Sequence, residues 1–316
     1  MHAQRALWNS SSTALKSPTI SMSQVSEGIL PPTAANRLQG WRQTLDQNFN
    51  GNRLSSCWKT SYVGNVHTLA ANGEKEWYVT PADKTEFTPF SLSHGILSIK
   101  AVPSLLEPKT NAHGHSYLSG MIMSDGCFDQ TYGYFEIKAK VPKGKGIWPA
   151  FWLLPASHKW PPEIDVFEMF GAKNSRNEGG EGWVHTGTVH GGTSAFNSWH
   201  KVEIDQYTAF HTYGLLWGPQ NMAIYVDGKL IAVQPTPKDF HQAMYLIANL
   251  AIGGNWAESP DAATHFPAVM TIDYIRAWQY VPWRSHPVIS AQQNDDRKTS
   301  RLPMSRKHAR SNQRLQ

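Results

Sequence analysis

Three carboxylates stand close together in the stretch KWPPEIDVFEMFG, residues 159–171: Glu163, Asp165 and Glu168. Around them are Ile164, Val166, Phe167 and Met169, the company of a buried strand, where a bare charge is costly. In a strand alternate side chains share a face, so Glu163 and Asp165 point one way and Ile164 and Val166 the other. Glu168 falls one residue out of that count. An extra residue near Val166–Phe167, a β-bulge, would restore the facing and bring all three acids into one row. Like charges in a row raise one another's pKa and do not all ionise together.

Taken alone, E-x-D-x-x-E also describes an ordinary solvated strand face. The neighbours point further: Trp148, Trp152 and Trp160 come within fifteen residues before the row, and Pro161-Pro162 stiffens the approach to it. Two carboxyls in a groove paved with aromatic rings suit cleavage of a glycosidic bond. One attacks the anomeric carbon, the other protonates the departing oxygen, and the middle Asp165 holds and tunes the nucleophile. Ring faces suit sugars because the axial C–H side of a pyranose is apolar. Four strand steps, allowing for the bulge, put the two Glu Cα atoms about 13 Å apart, while a retaining pair needs its carboxyls about 5–5.5 Å apart. Two long Glu side chains leaning together across a bent strand close most of that gap.

The elements that must hold this row are strands. GILSIKAV (95–102) alternates Ile96, Ser98 and Lys100 against Leu97, Ile99 and Ala101. YGYFEIKAKV (132–141) sets Phe135, Ile137 and Ala139 against Tyr134, Glu136, Lys138 and Lys140. AIYVDGKLIAV (223–233) reads as a hairpin turning at Asp227-Gly228, and MTIDYIRAWQY (270–280) as a closing strand. No helical periodicity of useful length and no internal repeat interrupts the pattern. The expectation is an all-β chain, a two-sheet antiparallel sandwich over 41–281, between a flexible leader (1–40) and a basic disordered tail (282–316).

Charge divides the same way. The chain carries a net +5, yet from residue 281 onward eight Lys/Arg face only Asp295 and Asp296, so the body between the ends is acidic. The tail lacks apolar periodicity and has Trp283 as its single aromatic, a composition that reads as a solvated extension more than a nucleic-acid arm. The first 28 residues hold no apolar run of secretory length, and no segment is long enough to span a membrane. Cys57 and Cys127 could pair in an exported protein, but no spacing supports a disulfide framework or a metal site, and they read as small buried or half-buried residues. His113 and His115 lack a third ligand at a telling spacing and read as loop residues.

At Glu163-Ile164-Asp165-Val166-Phe167-Glu168 the chain resembles glycoside hydrolase family 16, whose signature is E-[IL]-D-x-(x)-E. QTYGYFEIKAKVPKGKGIWPAFWLLP before it, and HTGTVHGG, FHTYGLLW, MYLIANLAIGGNW and FPAVMTIDYIRAW after it, also resemble family blocks in order. Together they cover nearly all of 41–281. The resemblance implies a β-jelly-roll sandwich with a cleft on its concave sheet and a retaining double displacement. It assigns Glu163 as nucleophile, Glu168 as acid/base and Asp165 as the assisting residue. The extra residue before the last Glu resembles the bulged version of the family's β-1,3-glucanases and many of its galactanases.

By the same resemblance Trp148 and Trp160 are cleft tryptophans around the cleaved bond, Trp256 is a further sugar platform, and Trp152 belongs to the core. His190 is expected on the strand beside the catalytic one, near the acid/base Glu. Asn72 resembles an Asn that bonds glycone-side hydroxyls, and Asn249 lies in a block close to the cleft. Two departures stand out. Lys138 replaces a common Arg, losing a bidentate fork. The family's structural calcium would use Asp273 and an early acid, where this chain has Asn48; one charged oxygen ligand fewer lowers affinity.

The expectation is therefore an endo-acting β-glycanase, secreted and monomeric, cutting β-1,3 or mixed β-1,3/1,4 glucan. It needs no cofactor and has a polysaccharide as its partner, with neither nucleic acid nor membrane. The alternatives are an endoglycanase of an acidic bacterial exopolysaccharide, whose substituents Lys138, Lys143 and Lys145 could meet, and a glucan-binding protein without catalysis.

Overall fold

The computed structural model describes residues 29–33, 40–83, 85–191 and 193–283. Sixteen strands make up the fold: β1 (Trp41–Gln47), β2 (Glu76–Tyr78), β3 (Phe90–Ser93), β4 (Ile96–Pro103), β5 (Tyr117–Ser119), β6 (Met121–Met123), β7 (Gly133–Lys140) and β8 (Ile147–Pro155), then β9 (Glu163–Glu168), β10 (Trp183–His190), β11 (Thr193–Lys201), β12 (His211–Trp217), β13 (Asn221–Val226), β14 (Lys229–Pro235), β15 (Met244–Ile252) and β16 (Ala268–Tyr280). They form two sheets. The larger runs β14-β13-β12-β7-β16-β4-β5-β2, with β1 on β16 and β3 on β4; the smaller runs β11-β10-β9-β8-β15-β6. Among the described residues every pairing is antiparallel except β2 with β5.

The core is what the alternating strands dictate. Leu97, Ile99 and Ala101 of β4 and Phe135, Ile137 and Ala139 of β7 face inward from the large sheet. Against them lie Phe151 and Leu153 of β8, Ile164, Val166 and Phe167 of β9, and Leu246, Ala248 and Leu250 of β15. The expected hairpin is β13–β14, and Asp227 and Gly228 both take positive φ at its turn. With its inner face spent on this core, the small sheet has one face left for a site.

The expected leader and tail fall mostly outside the described residues. The part of the leader that is described does not stand away from the body. Ile29 is buried with Tyr134, Leu216, Tyr225 and Trp278, covering an apolar patch on the outer face of the large sheet. Trp41 Nε1 donates to Leu30 O at 3.2 Å.

Cys57 and Cys127, half-buried as expected, are joined by a disulfide that ties the loop after β1 to the loop after β6 across 70 residues. Replacing both with Ser should cost about 2–4 kcal/mol, because the bridge restricts a long loop of the unfolded chain. Thermal unfolding of the oxidised parent and the double variant checks this; equal Tm values would contradict a bridge in the folded protein.

Candidate active site

Register locates the bulge. Between His185 and Gly187, β10 takes two steps while β9 takes three, from Glu168 to Asp165. On the other side, one step of β8 from Phe151 to Trp152 spans two of β9, from Phe167 to Asp165. The extra residue is Val166. It and Phe167 both enter the core, so Glu168 turns to the outer face with Glu163 and Asp165. The sequence expectation of a bulge at this point matches the register.

Cross-strand neighbours shape the row. Glu168 has Ala150 on one side and His185 on the other; Asp165 has Trp152 and Gly187. Glycine at 187 is required by contact, since a Cβ there would lie 2.7 Å from Asp165 Oδ2. Ala150 leaves similar room between Glu168 and Asn249.

Each glutamate is held by an indole. Trp160 Nε1 donates to Glu163 Oε2 at 2.7 Å, and Trp148 Nε1 donates to Glu168 Oε1 at 3.1 Å. Glu168 Oε2 lies 3.0 Å from Nδ1 of His185, a fully buried ring whose Nε2 meets Asn197 Oδ1. Burial pushes the Glu163 carboxyl up to about 7; the Trp160 N–H opposes this and the Glu168 charge adds to it. Asp165 is held well above the carboxylate range by burial first, then by the charges of Glu163 and Glu168.

The structure brings Trp148 and Trp160 to the row, as expected. Trp256 is nearby but is not an open platform. It is 5% exposed, packed edge-on against Trp148 and His185, and its Nε1 donates to Glu178 at 2.9 Å. It therefore braces the residues that hold Glu168. Trp152 is buried, though on the outer face, under Tyr62 and beside Asn249, whose Oδ1 accepts its Nε1 at 2.8 Å. Asn249 in turn donates to Tyr78 Oη at 3.0 Å, so its amide serves the cleft floor. Asn72 is half-exposed, its amide donating to Glu74 at 3.0 Å.

His190 is a correction. It lies five positions after His185, an odd number, so the two rings leave β10 on opposite faces, and it is His185 that pairs with Glu168. His190 lies near Phe240 instead. Lys138 is another: it projects from β7 of the large sheet and pairs with Asp273 at 2.7 Å. Lys143 lies over the Tyr207 ring and Lys145 pairs with Glu258. The calcium residues are likewise committed, since Lys138 neutralises Asp273 while Asn48 Oδ1 accepts from Arg276 at 2.7 Å. This donor set does not fit a calcium ion, and among the described residues no group of three or more His, Cys, Asp or Glu could hold a metal.

Residues 97–276 match the sequence model of Glycosyl hydrolases family 16. This chain belongs to that family. It is 38% identical over 245 residues to the endo-1,3-1,4-beta-glycanase ExsH of Rhizobium meliloti (strain 1021), covering 75% of this chain and 51% of the relative. The chain thus spans about half the length of that relative. Among solved structures, the catalytic domain of an endo-1,3-beta-glucanase (laminarinase) from Thermotoga petrophila RKU-1 superposes with a TM-score of 0.64 at 30% identity, over 76% of this chain and 98% of that one. The endo-beta-1,3-glucanase from Pyrococcus furiosus gives 0.65 at 26% identity, over 76% and 95%. The family 16 jelly-roll is the sandwich described above.

A stability test follows from Glu163. Its folded pKa of about 7 lies above the ordinary 4.5, so between these values the folded state holds a proton that the unfolded chain releases. Stability must then fall as pH rises through that window, and the whole penalty is present above it. Glu163→Gln lacks the penalty. Its unfolding free energy should exceed the parent's on the order of 1–3 kcal/mol at pH 8 and match it near pH 4. Calorimetry at the two pH values checks this, and an offset that does not change with pH would contradict it.

Proposed function

We propose that the chain is an endo-acting, retaining β-glycanase that hydrolyses internal β-1,3 or mixed β-1,3/1,4 glucosidic linkages. The observation that carries this is the row itself: Glu163 and Glu168 on one face of a bulged strand, each fixed by an indole N–H, with Asp165 between them. In the first step a Glu163 oxygen attacks the anomeric carbon. The glycosidic C–O bond breaks, its electron pair goes to the leaving oxygen, and that oxygen takes the proton of Glu168. In the second, Glu168 removes a proton from water as the water oxygen attacks the same carbon and expels Glu163. Two inversions give net retention.

The surroundings serve these roles. Trp160 holds one oxygen of Glu163, leaving the other for attack. Burial and the charges of Glu163 and Glu168 push the Asp165 carboxyl well above its usual range, so it adds less charge to the row than a free carboxylate would, which eases ionisation of the nucleophile beside it. Trp148 and His185 fix Glu168 from two sides. The intact carboxyl pair speaks against a glucan-binding protein without catalysis. Lys138, Lys143 and Lys145, considered for the acidic substituents of an exopolysaccharide, are engaged within the chain, so they lend that substrate no support. The Cys57–Cys127 disulfide supports export to an oxidising compartment. Among the described residues no helix is long and apolar enough to cross a membrane.

Reducing-sugar release from laminarin, lichenan and a succinylated exopolysaccharide tests the substrate. Glu163→Ala should lose on the order of 10³-fold or more in kcat, and Glu168→Ala about 10²–10⁴-fold on unactivated substrate. Azide on an activated glycoside separates the roles. It should give the α-glycosyl azide with Glu163→Ala and the β-azide with Glu168→Ala; the opposite products would exchange the assignments.

A further inference from the structure

The loop between β9 and β10, residues 171–182, contributes nothing to the catalytic row, yet it closes on the rings that back the acid/base glutamate. Its fold is local. Asn174 Oδ1 accepts from the backbone N–H of Arg176 and of Glu178, each at 3.0 Å, and Asn174 N donates to Glu178 O at 3.0 Å. The side chains of Asn174, Arg176 and Glu178 are thereby gathered at one place. Gly179 then lets the chain come down on Phe170: its φ is +80°, and a Cβ on it would lie 2.6 Å from Phe170 Cβ.

Trp256 is what the loop grips. Glu178 Oε2 accepts from Trp256 Nε1 at 2.9 Å, from Asn174 Nδ2 at 2.9 Å and from Arg176 Nε at 3.0 Å. At the other end of the same residue, Trp256 O accepts from Asn174 Nδ2 at 3.2 Å and from Arg176 Nη2 at 3.4 Å. Ser175 N donates to Glu258 Oε1 at 2.9 Å, which ties the loop to the segment after Trp256 as well. Burial pushes the Glu178 carboxyl up, but its three donors and the Arg176 charge outweigh burial and hold it below the ordinary carboxylate range. It is an ionised acceptor, which makes the stronger kind of hydrogen bond.

Trp256 in turn touches both groups that hold Glu168. Its ring stands edge-on to Trp148, with centroids 5.5 Å apart, and edge-on to His185 at 4.7 Å. Trp148 Nε1 donates to one oxygen of Glu168, and His185 Nδ1 meets the other. Phe170 and Trp199 also pack on the Trp256 ring, at 4.7 Å and 5.6 Å. A buried indole N–H needs an acceptor. Deprived of Glu178, Trp256 has to turn or open to water, and Trp148 and His185 lose the ring behind them.

We propose that Glu178 is a positioning residue for the acid/base: it fixes Trp256, which backs Trp148 and His185, which aim Glu168 at the leaving oxygen, an inference that rests on the glucanase reading of the cleft. A misplaced acid costs most where the leaving group needs its proton and least where the group departs without one. Glu163, held by Trp160, is not on this path. The damage should therefore be selective.

Glu178→Ala should lower kcat/KM for laminari-oligosaccharides about tenfold, while kcat/KM for 2,4-dinitrophenyl β-laminaribioside, whose phenolate leaves unprotonated, stays within about threefold of the parent. Glu178→Gln, with an amide oxygen that accepts in place of Oε2, should recover the first value to within about threefold. A loss in Glu178→Gln equal to that in Glu178→Ala would assign the effect to charge and overturn the proposal. Equal losses on both substrates, or a lower Tm with neither value changed, would also overturn it, leaving only a fold brace. If Glu178→Ala does not fold, Trp256→Phe, a ring without the N–H, must show the same split between substrates, and its absence rejects the proposal. Should the parent cleave neither substrate, the glucanase reading fails, and the nuclear magnetic resonance signal of the Trp148 indole N–H still decides the holding of Glu168: a shift in Glu178→Ala that Glu178→Gln reverses upholds it, and an unmoved signal rejects it.

Discussion

The site depends on one constraint: β9 must face two ways at once. Its apolar residues close the sandwich, and its three acids must reach the opposite face without leaving the strand. Strict alternation allows this for Glu163 and Asp165 but would turn Glu168 into the core, where an uncompensated carboxylate is too costly to keep. The single extra residue at Val166 resolves the conflict. It spends two consecutive side chains, Val166 and Phe167, on the core and delivers the third acid outward. Gly187 and Ala150 then follow as the small neighbours that a crowded row of carboxyls needs.

Electrostatics in the row are managed without cations. No lysine or arginine among the described residues pairs with it. Indole donors hold the outer acids, burial pushes the carboxyl of the middle acid up, and buried aromatic rings keep those donors in place: Trp256 and Phe170 pack on Trp148. Donors fixed before substrate arrives need no reorganisation as charge shifts between the two glutamates. A cleft built this way presents few fixed charges to a neutral sugar chain.

What the sequence disclosed was local. The alternation of Leu97, Ile99 and Ala101, the Asp227-Gly228 turn and the out-of-phase Glu168 each depend on neighbours in the chain, and all three hold in the structure. What it hid depends on register between distant strands. Choosing between His185 and His190 required knowing which residue of β10 lies opposite Glu168. The burial of Trp256 comes from Phe170 and Trp199, and the neutralisation of Asp273 from Lys138 on a different strand. The disulfide joins residues too far apart for spacing to indicate it. The burial of Glu74 and Glu76 likewise comes from tertiary packing.

The central claim is that the outer acid nearer Trp160 forms the bond to sugar, and trapping that bond tests it directly. Incubation with a 2-deoxy-2-fluoro-laminaribiosyl fluoride, which forms the glycosyl-enzyme quickly and releases it slowly, should add one fluorinated disaccharide to the protein. Peptide mapping by mass spectrometry should then place that sugar on Glu163. A label on Glu168 or Asp165, or glucan cleavage with no covalent adduct under these conditions, would contradict the account.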